Sequence, residues 1–102
     1  MRAARSAKWW LYVLECHSGV LYTGIAKNVK ARFAAHVNGK GAKFTRLNRP
    51  VGVVGKARLA TKGEALRAEY ALKQLPRAVK LRWCAAGLDA FTRSIRTKVA
   101  KS

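Results

Sequence analysis

Acidic residues are almost missing from this chain: four Asp and Glu face 22 Lys and Arg in 102 residues, a formal charge of +18. That imbalance excludes a like-charged partner and calls for a polyanion, because neutralising phosphates releases condensed counterions and drives binding. Cysteine is scarce as well. Cys16 and Cys84 stand far apart and outside any CxxC pair, and with no export signal both are expected to be reduced, buried thiols. Two cysteines and two histidines at irregular spacing do not make a zinc ligand set. No apolar run approaches the roughly 20 residues of a membrane span. The stretch after the basic start is broken by Glu15 and His17, too short and too polar for a secretory signal. The expectation is a cytoplasmic protein, nucleoid-associated when bound, whose partner is nucleic acid, DNA ahead of RNA. Neither a membrane nor a small-molecule cofactor is expected.

Half of the residues are apolar and they are spread along most of the chain, enough for one core. Trp9 to Leu14 is aromatic and β-branched and reads as a strand; His17-Ser18-Gly19 turns it, and Val20 to Thr23 returns. Asn28 caps a helix to about Val37, with Val29, Phe33 and Val37 as its apolar stripe and Arg32 and His36 on a neighbouring flank. A basic loop follows, Lys40 to Arg49, ended by Pro50. Val51 to Ala60 reads as a third strand. Thr61 caps a helix from about Gly63 to Leu75, with Glu64 at the capping-box position. Pro76 opens a shorter helix that Gly87 stops.

The expected fold is therefore α/β of the α+β type: a small three-stranded antiparallel sheet flanked by helices, in the order β-β-α-β-α-α. Residues 1–8 read as a basic N-terminal extension, 9–87 as the domain, and 88–102 as a basic, flexible tail.

In the second long helix Ala65, Ala68, Leu72 and Leu75 form the buried stripe, and Glu69 falls beside it, pointing inward or to the edge of the core. A bare buried carboxylate is costly, so Glu69 needs a partner. The plain partner is one of the many arginines. In a protein built to meet a polyanion, a divalent cation is the other candidate, since it can stand between two negative groups. Glu64 is explained by its capping position. Taken singly, Arg32 reads as a solvated charge, His36 as a half-buried histidine, and Tyr12 and Tyr22 as core aromatics.

The ordered set says more: paired tyrosines on a hairpin, Arg32 ten residues after the second, His36 four later, then Glu69 on the last major helix. This order resembles the GIY-YIG nuclease superfamily. Trp10-Leu11-Tyr12 stands at the first motif and Leu21-Tyr22-Thr23-Gly24 at the second. The helix with Arg32 and His36 is similar to the superfamily's arginine helix, and Glu69, within Ala-Leu-Arg-Ala-Glu-Tyr, to its metal-binding glutamate. The small stand-alone bacterial branch, UPF0213 or YhbQ-like and similar to the Slx1 nuclease domain, gives the nearest resemblance. It also covers Gly39-Lys40-Gly41-Ala42-Lys43-Phe44-Thr45-Arg46. Three positions depart from the pattern. Trp-Leu-Tyr replaces Gly-Ile-Tyr, Thr23 replaces an apolar residue, and Phe44 replaces a common tyrosine.

The resemblance implies a metal-dependent endonuclease that hydrolyses phosphodiester bonds in DNA, including branched or damaged DNA. Catalysis would fall to Tyr12, Tyr22, Arg32, His36 and Glu69, with Glu69 holding one Mg²⁺ or Mn²⁺. Arg32 would grip non-bridging oxygens with its fork. Either tyrosine would position water or act as base, and His36 would take a proton or touch a phosphate. Lys40, Lys43, Thr45, Arg46, Arg49, Lys73 and Arg77 are candidate nucleic-acid contacts. A targeting protein is a further expected partner. The competing reading is a non-catalytic DNA- or RNA-binding module on the same fold.

Overall fold

The computed structural model describes the backbone of residues 8–101 and the side chains of 8–95. Residues 1–7, nearly all of the expected basic extension, and residue 102 lie outside the described residues.

Strand β1 (Trp9–Cys16) turns through Gly19, whose φ of 84° suits glycine, into β2 (Leu21–Ala26). Helix α1 (Val29–Val37) begins where the Asn28 side chain accepts the Ala31 N–H at 2.9 Å. A short helix α2 (Lys43–Leu47) leads to β3 (Pro50–Leu59). Helix α3 (Lys62–Lys73) carries the expected caps: Thr61 Oγ1 accepts the Glu64 N–H, and Glu64 Oε1 accepts the Ala60 N–H, both at 3.1 Å. Helices α4 (Arg77–Ala86) and α5 (Leu88–Lys101) complete the described chain.

The three strands form one antiparallel sheet, as the sequence pattern anticipates, and their order in it is β2-β1-β3. Alternation along β1 divides its side chains between two faces. Leu11 and Val13, with Ala57 and Leu59 of β3, pack on Ala65, Ala68 and Leu72 of α3 and on Leu88 and Phe91 of α5. Tyr12, Leu14 and Ala26 face the other way, against Val29, with Trp10, Tyr22 and Phe33 at the margin. The sheet is thus covered by α1 on one side and by α3 and α5 on the other.

Three expectations need correction. The basic loop contains α2, because the Ala42 carbonyl gathers the N–H groups of Thr45 and Arg46 and starts a turn that no side-chain cap announces. The tail is not loose: Leu88 and Phe91 are buried, Ile95 packs against the same cluster, and Phe91 meets Trp83 edge-on at 5.3 Å. The spacing Leu88, Phe91, Ile95 is helical, and the basic composition of the segment as a whole, with Arg93, Arg96, Lys98 and Lys101, obscures it. Third, α1 turns His36 inward at 1 % exposure while Val37 is exposed, so its buried side is Val29 and His36 with Phe33 between.

Cys16 is buried and Cys84 half-buried, and both are free thiols whose ionisation burial opposes. Among the described residues no helix is long and apolar enough to cross a membrane.

Candidate active site

The hairpin register sets the two tyrosines side by side. Tyr12 lies opposite Gly24 and Leu14 opposite Tyr22, so both rings lie on the α1 face with centroids 6.3 Å apart. Gly24 is required there. A Cβ at that position would stand 2.6 Å from the Tyr12 hydroxyl, so any side chain would push the ring out of place.

From α1, His36 reaches Tyr12 with Nε2 3.0 Å from the phenol oxygen, and its Nδ1 lies 2.6 Å from Thr45 Oγ1. Thr45 donates its own hydroxyl hydrogen to the Ala42 carbonyl at 2.9 Å, so it must accept from His36 Nδ1–H. That leaves Nε2 as the acceptor and Tyr12 as the donor. The polarity of the whole chain is therefore fixed by one backbone carbonyl. Gly41 passes so close that a Cβ there would overlap His36 Nδ1, which explains a second glycine in the basic segment.

Charge at this cluster is uneven. Burial, and next the neighbouring Tyr22, push the Tyr12 phenol up to about 12; Arg32 pulls the other way and Glu69 adds to the rise. Tyr22, Arg32 and Glu69 therefore all act on one hydroxyl. His36 is shifted below the usual imidazole range, first by burial and then by the Arg32 charge, and stays neutral. Tyr22 is half-buried, edge-on to His36 at 5.0 Å and stacked on Phe44 at 5.9 Å.

Glu69 sits at the edge of the α3 packing face, 19 % exposed, with Lys73 Nζ 3.2 Å away. The partner is a lysine one turn along rather than an arginine. Half-exposed lysine pairs of this i,i+4 kind contribute about 0.3–0.5 kcal/mol, so the carboxylate is readily exchanged to a stronger cation. Among the described residues there is no group of three or more metal-ligating side chains. One available carboxylate suits Mg²⁺, which keeps several waters and is held by one or two carboxylates plus substrate phosphate. Glu69 fits an ion shared with a substrate, not one caged by protein.

The cluster brings together Tyr12, Tyr22, Arg32, His36 and Glu69, but their roles divide. Tyr12 is 1 % exposed, and both nitrogens of the equally buried His36 are hydrogen-bonded. Neither is presented to a phosphate at the surface. This corrects the expectation of a His36 phosphate contact. Thr45, read as a nucleic-acid contact, is also buried, and its hydroxyl is committed to His36 and Ala42. No local signal announces the His36–Thr45 link, which joins α1 to the unexpected helix α2.

Of the other basic candidates, Lys40, Lys43, Arg46 and Arg49 are exposed, and the two arginines border a polar cavity of about 350 Å³ behind His36. Arg77 donates from Nε to the Gly19 carbonyl at 2.6 Å, tying α4 to the hairpin turn. A second cavity of about 250 Å³ lies beside Tyr22, lined by Leu21, Tyr22, Thr23, Phe44, Lys73 and Lys80. A roomier one of about 460 Å³, between α1 and β3 at Val29, Phe33 and Val54, holds none of the candidate residues. Size does not locate the chemistry here.

Comparison with known proteins places the chain in a family. The model of the GIY-YIG catalytic domain matches residues 8–82. A UPF0213 protein of Cupriavidus pinatubonensis is 49% identical over 78 residues, 76% of this chain and 87% of that relative. One from Staphylococcus epidermidis is 46% identical over 80 residues, 78% of this chain and 98% of the relative. Among solved structures, the solution NMR structure of a UPF0213 protein from Bacillus halodurans has a TM-score of 0.50 at 38% identity, covering 78% of this chain and 84% of that one.

Proposed function

Because the chain belongs to the GIY-YIG catalytic-domain family, we propose that it is an endonuclease that hydrolyses phosphodiester bonds in DNA with the help of one divalent cation. The observation that supports this reading is the cluster of Tyr12, Tyr22 and His36 on one face of the sheet, with Arg32 and Glu69 close enough to bias the Tyr12 phenol. A purely structural tyrosine needs one hydrogen-bond partner, and His36 supplies it.

Glu69 would hold Mg²⁺ or Mn²⁺, and the bound ion would supply positive charge at the scissile phosphate and its leaving oxygen. Arg32 binds the non-bridging oxygens, where a planar fork matches two acceptors at once. Tyr22 is the tyrosine that borders a cavity, and it orients the attacking water. Tyr12 keeps its proton at neutral pH and hands it, as a hydrogen bond, to neutral His36; its work is to hold Arg32 and Tyr22 in register. Lys40, Lys43, Arg46 and Arg49 contact backbone phosphates and carry no base readout.

The test is nicking of plasmid and branched DNA with Mg²⁺ or Mn²⁺. Glu69→Ala and Arg32→Ala should each lower cleavage by about 10²–10³-fold or more with the circular dichroism spectrum unchanged, because oriented charge at the transition state is the main catalytic term. Wild-type protein that binds DNA but yields no product on any substrate would favour the non-catalytic binding module instead.

A further inference from the structure

Phe44 has no place in the chemistry above. It stands on α2 with 40 % of its surface exposed, one ring face held against Tyr22 at 5.9 Å and 26° between planes. A single exposed aromatic is ordinary on a protein surface. This one is different because it borders the 250 Å³ cavity together with Tyr22, Lys73 and Lys80, so an aromatic wall and two cations share one concave site next to the water-orienting tyrosine. Tyr22 is itself braced edge-on by the buried His36, so the stacked pair is anchored to the core rather than to a loop.

We propose that this cavity seats one unpaired nucleotide, its base laid against Phe44 and its phosphate met by Lys73 and Lys80. The inference rests on the nuclease reading and names the class of substrate that reading leaves open. The two lysines in the walls suit a phosphate, in a chain of net charge +18. A volume of about 250 Å³ is enough to seat a single base. Aromatic stacking is tolerant of sequence because every base has a π-face, so the seat reads pairing state and not base identity. An intact duplex would have to extrude a nucleotide to use it, at an energetic cost that a bulge, flap or gap has already met.

The experiment compares binding, without divalent cation, to two DNA duplexes of equal length, one fully paired and one carrying a single bulged 2-aminopurine. Wild-type protein should bind the bulged duplex about tenfold tighter or more, with quenching of the 2-aminopurine fluorescence. Phe44→Ala should bring the two affinities together while leaving that for paired duplex in place. Phe44→Tyr, which keeps the ring, should retain the preference. Equal affinities in the wild type, a preference that survives Phe44→Ala, or one lost in Phe44→Tyr would each overturn the proposal. Because binding is read without cleavage, a protein that prefers the bulge yet nicks nothing keeps the seat and loses the nuclease reading. One that nicks paired DNA without preference does the reverse.

Discussion

On one face of β1, Leu11 and Val13 meet Ala65, Ala68 and Leu72 in an apolar cluster; on the other, Tyr12 meets His36 and, through it, Thr45 by directed hydrogen bonds. Adjacent residues of one strand thus serve opposite purposes. The apolar face is non-directional, so its contribution follows buried area and fit. The polar face has obligations: each donor must find its acceptor, and removing one partner strands the other in a low-dielectric setting. A catalytic surface can be laid on the second face because the first supplies the stability.

The sharpest way to break this division is Leu72→Ala, which empties a fully buried position under the sheet. It should cost about 2–5 kcal/mol in denaturant unfolding, with cleavage per folded molecule close to wild type. A cost under about 1 kcal/mol would mean that the α3 side is not the main support.

A smaller effect comes from acid. The folded-state pKa of His36 lies below its ordinary value of about 6.5, so the folded protein binds fewer protons than the unfolded chain there. Its contribution is present above that value and is lost as pH falls through the folded pKa. Midpoints of urea unfolding should therefore drop between pH 7 and pH 5 more steeply for the wild type than for His36→Gln, which cannot be charged. Parallel profiles would show that His36 is not what makes the polar face acid-sensitive. Tyr12 has the opposite sign: its raised pKa of about 12 favours the folded state below pH 10, an advantage lost as pH climbs beyond.

The smallest effect sharpens the contrast from the other side. Thr23 is 3 % exposed, and among the described residues its hydroxyl is the one buried side-chain polar atom with no hydrogen-bond partner. Thr23→Val should raise stability by about 1 kcal/mol, since the same shape without an unpaired hydroxyl removes a desolvation cost. An unchanged or lower midpoint would indicate that the hydroxyl has a partner in solution.

The β1–β2 hairpin, the caps at Asn28 and Thr61 and the stop at Gly87 were legible because they depend on neighbours close in sequence. The five candidate residues stand in the sequence as an ordered set, and three of them, Tyr12, Tyr22 and His36, meet on one face of the sheet. What could not be read is long-range. Nothing near Thr45 announces that it belongs to His36, and the inward turn of His36 in place of Val37 is decided by the space beside Gly41. The docking of α5 is hidden in the sequence because Leu88, Phe91 and Ile95 stand in a segment of basic composition.

The Glu69–Lys73 contact has a consequence for how such a protein behaves at rest. The lysine gives the carboxylate a single charge from one turn along the same helix, a half-exposed pairing that is easily given up. Under the proposed chemistry a divalent ion held by Glu69 would compete with Lys73 for the carboxylate, and a phosphate beside Lys73 would give the ammonium another partner. Ion and substrate would each make room for the other, leaving the free protein a poor cutter until its target is in hand.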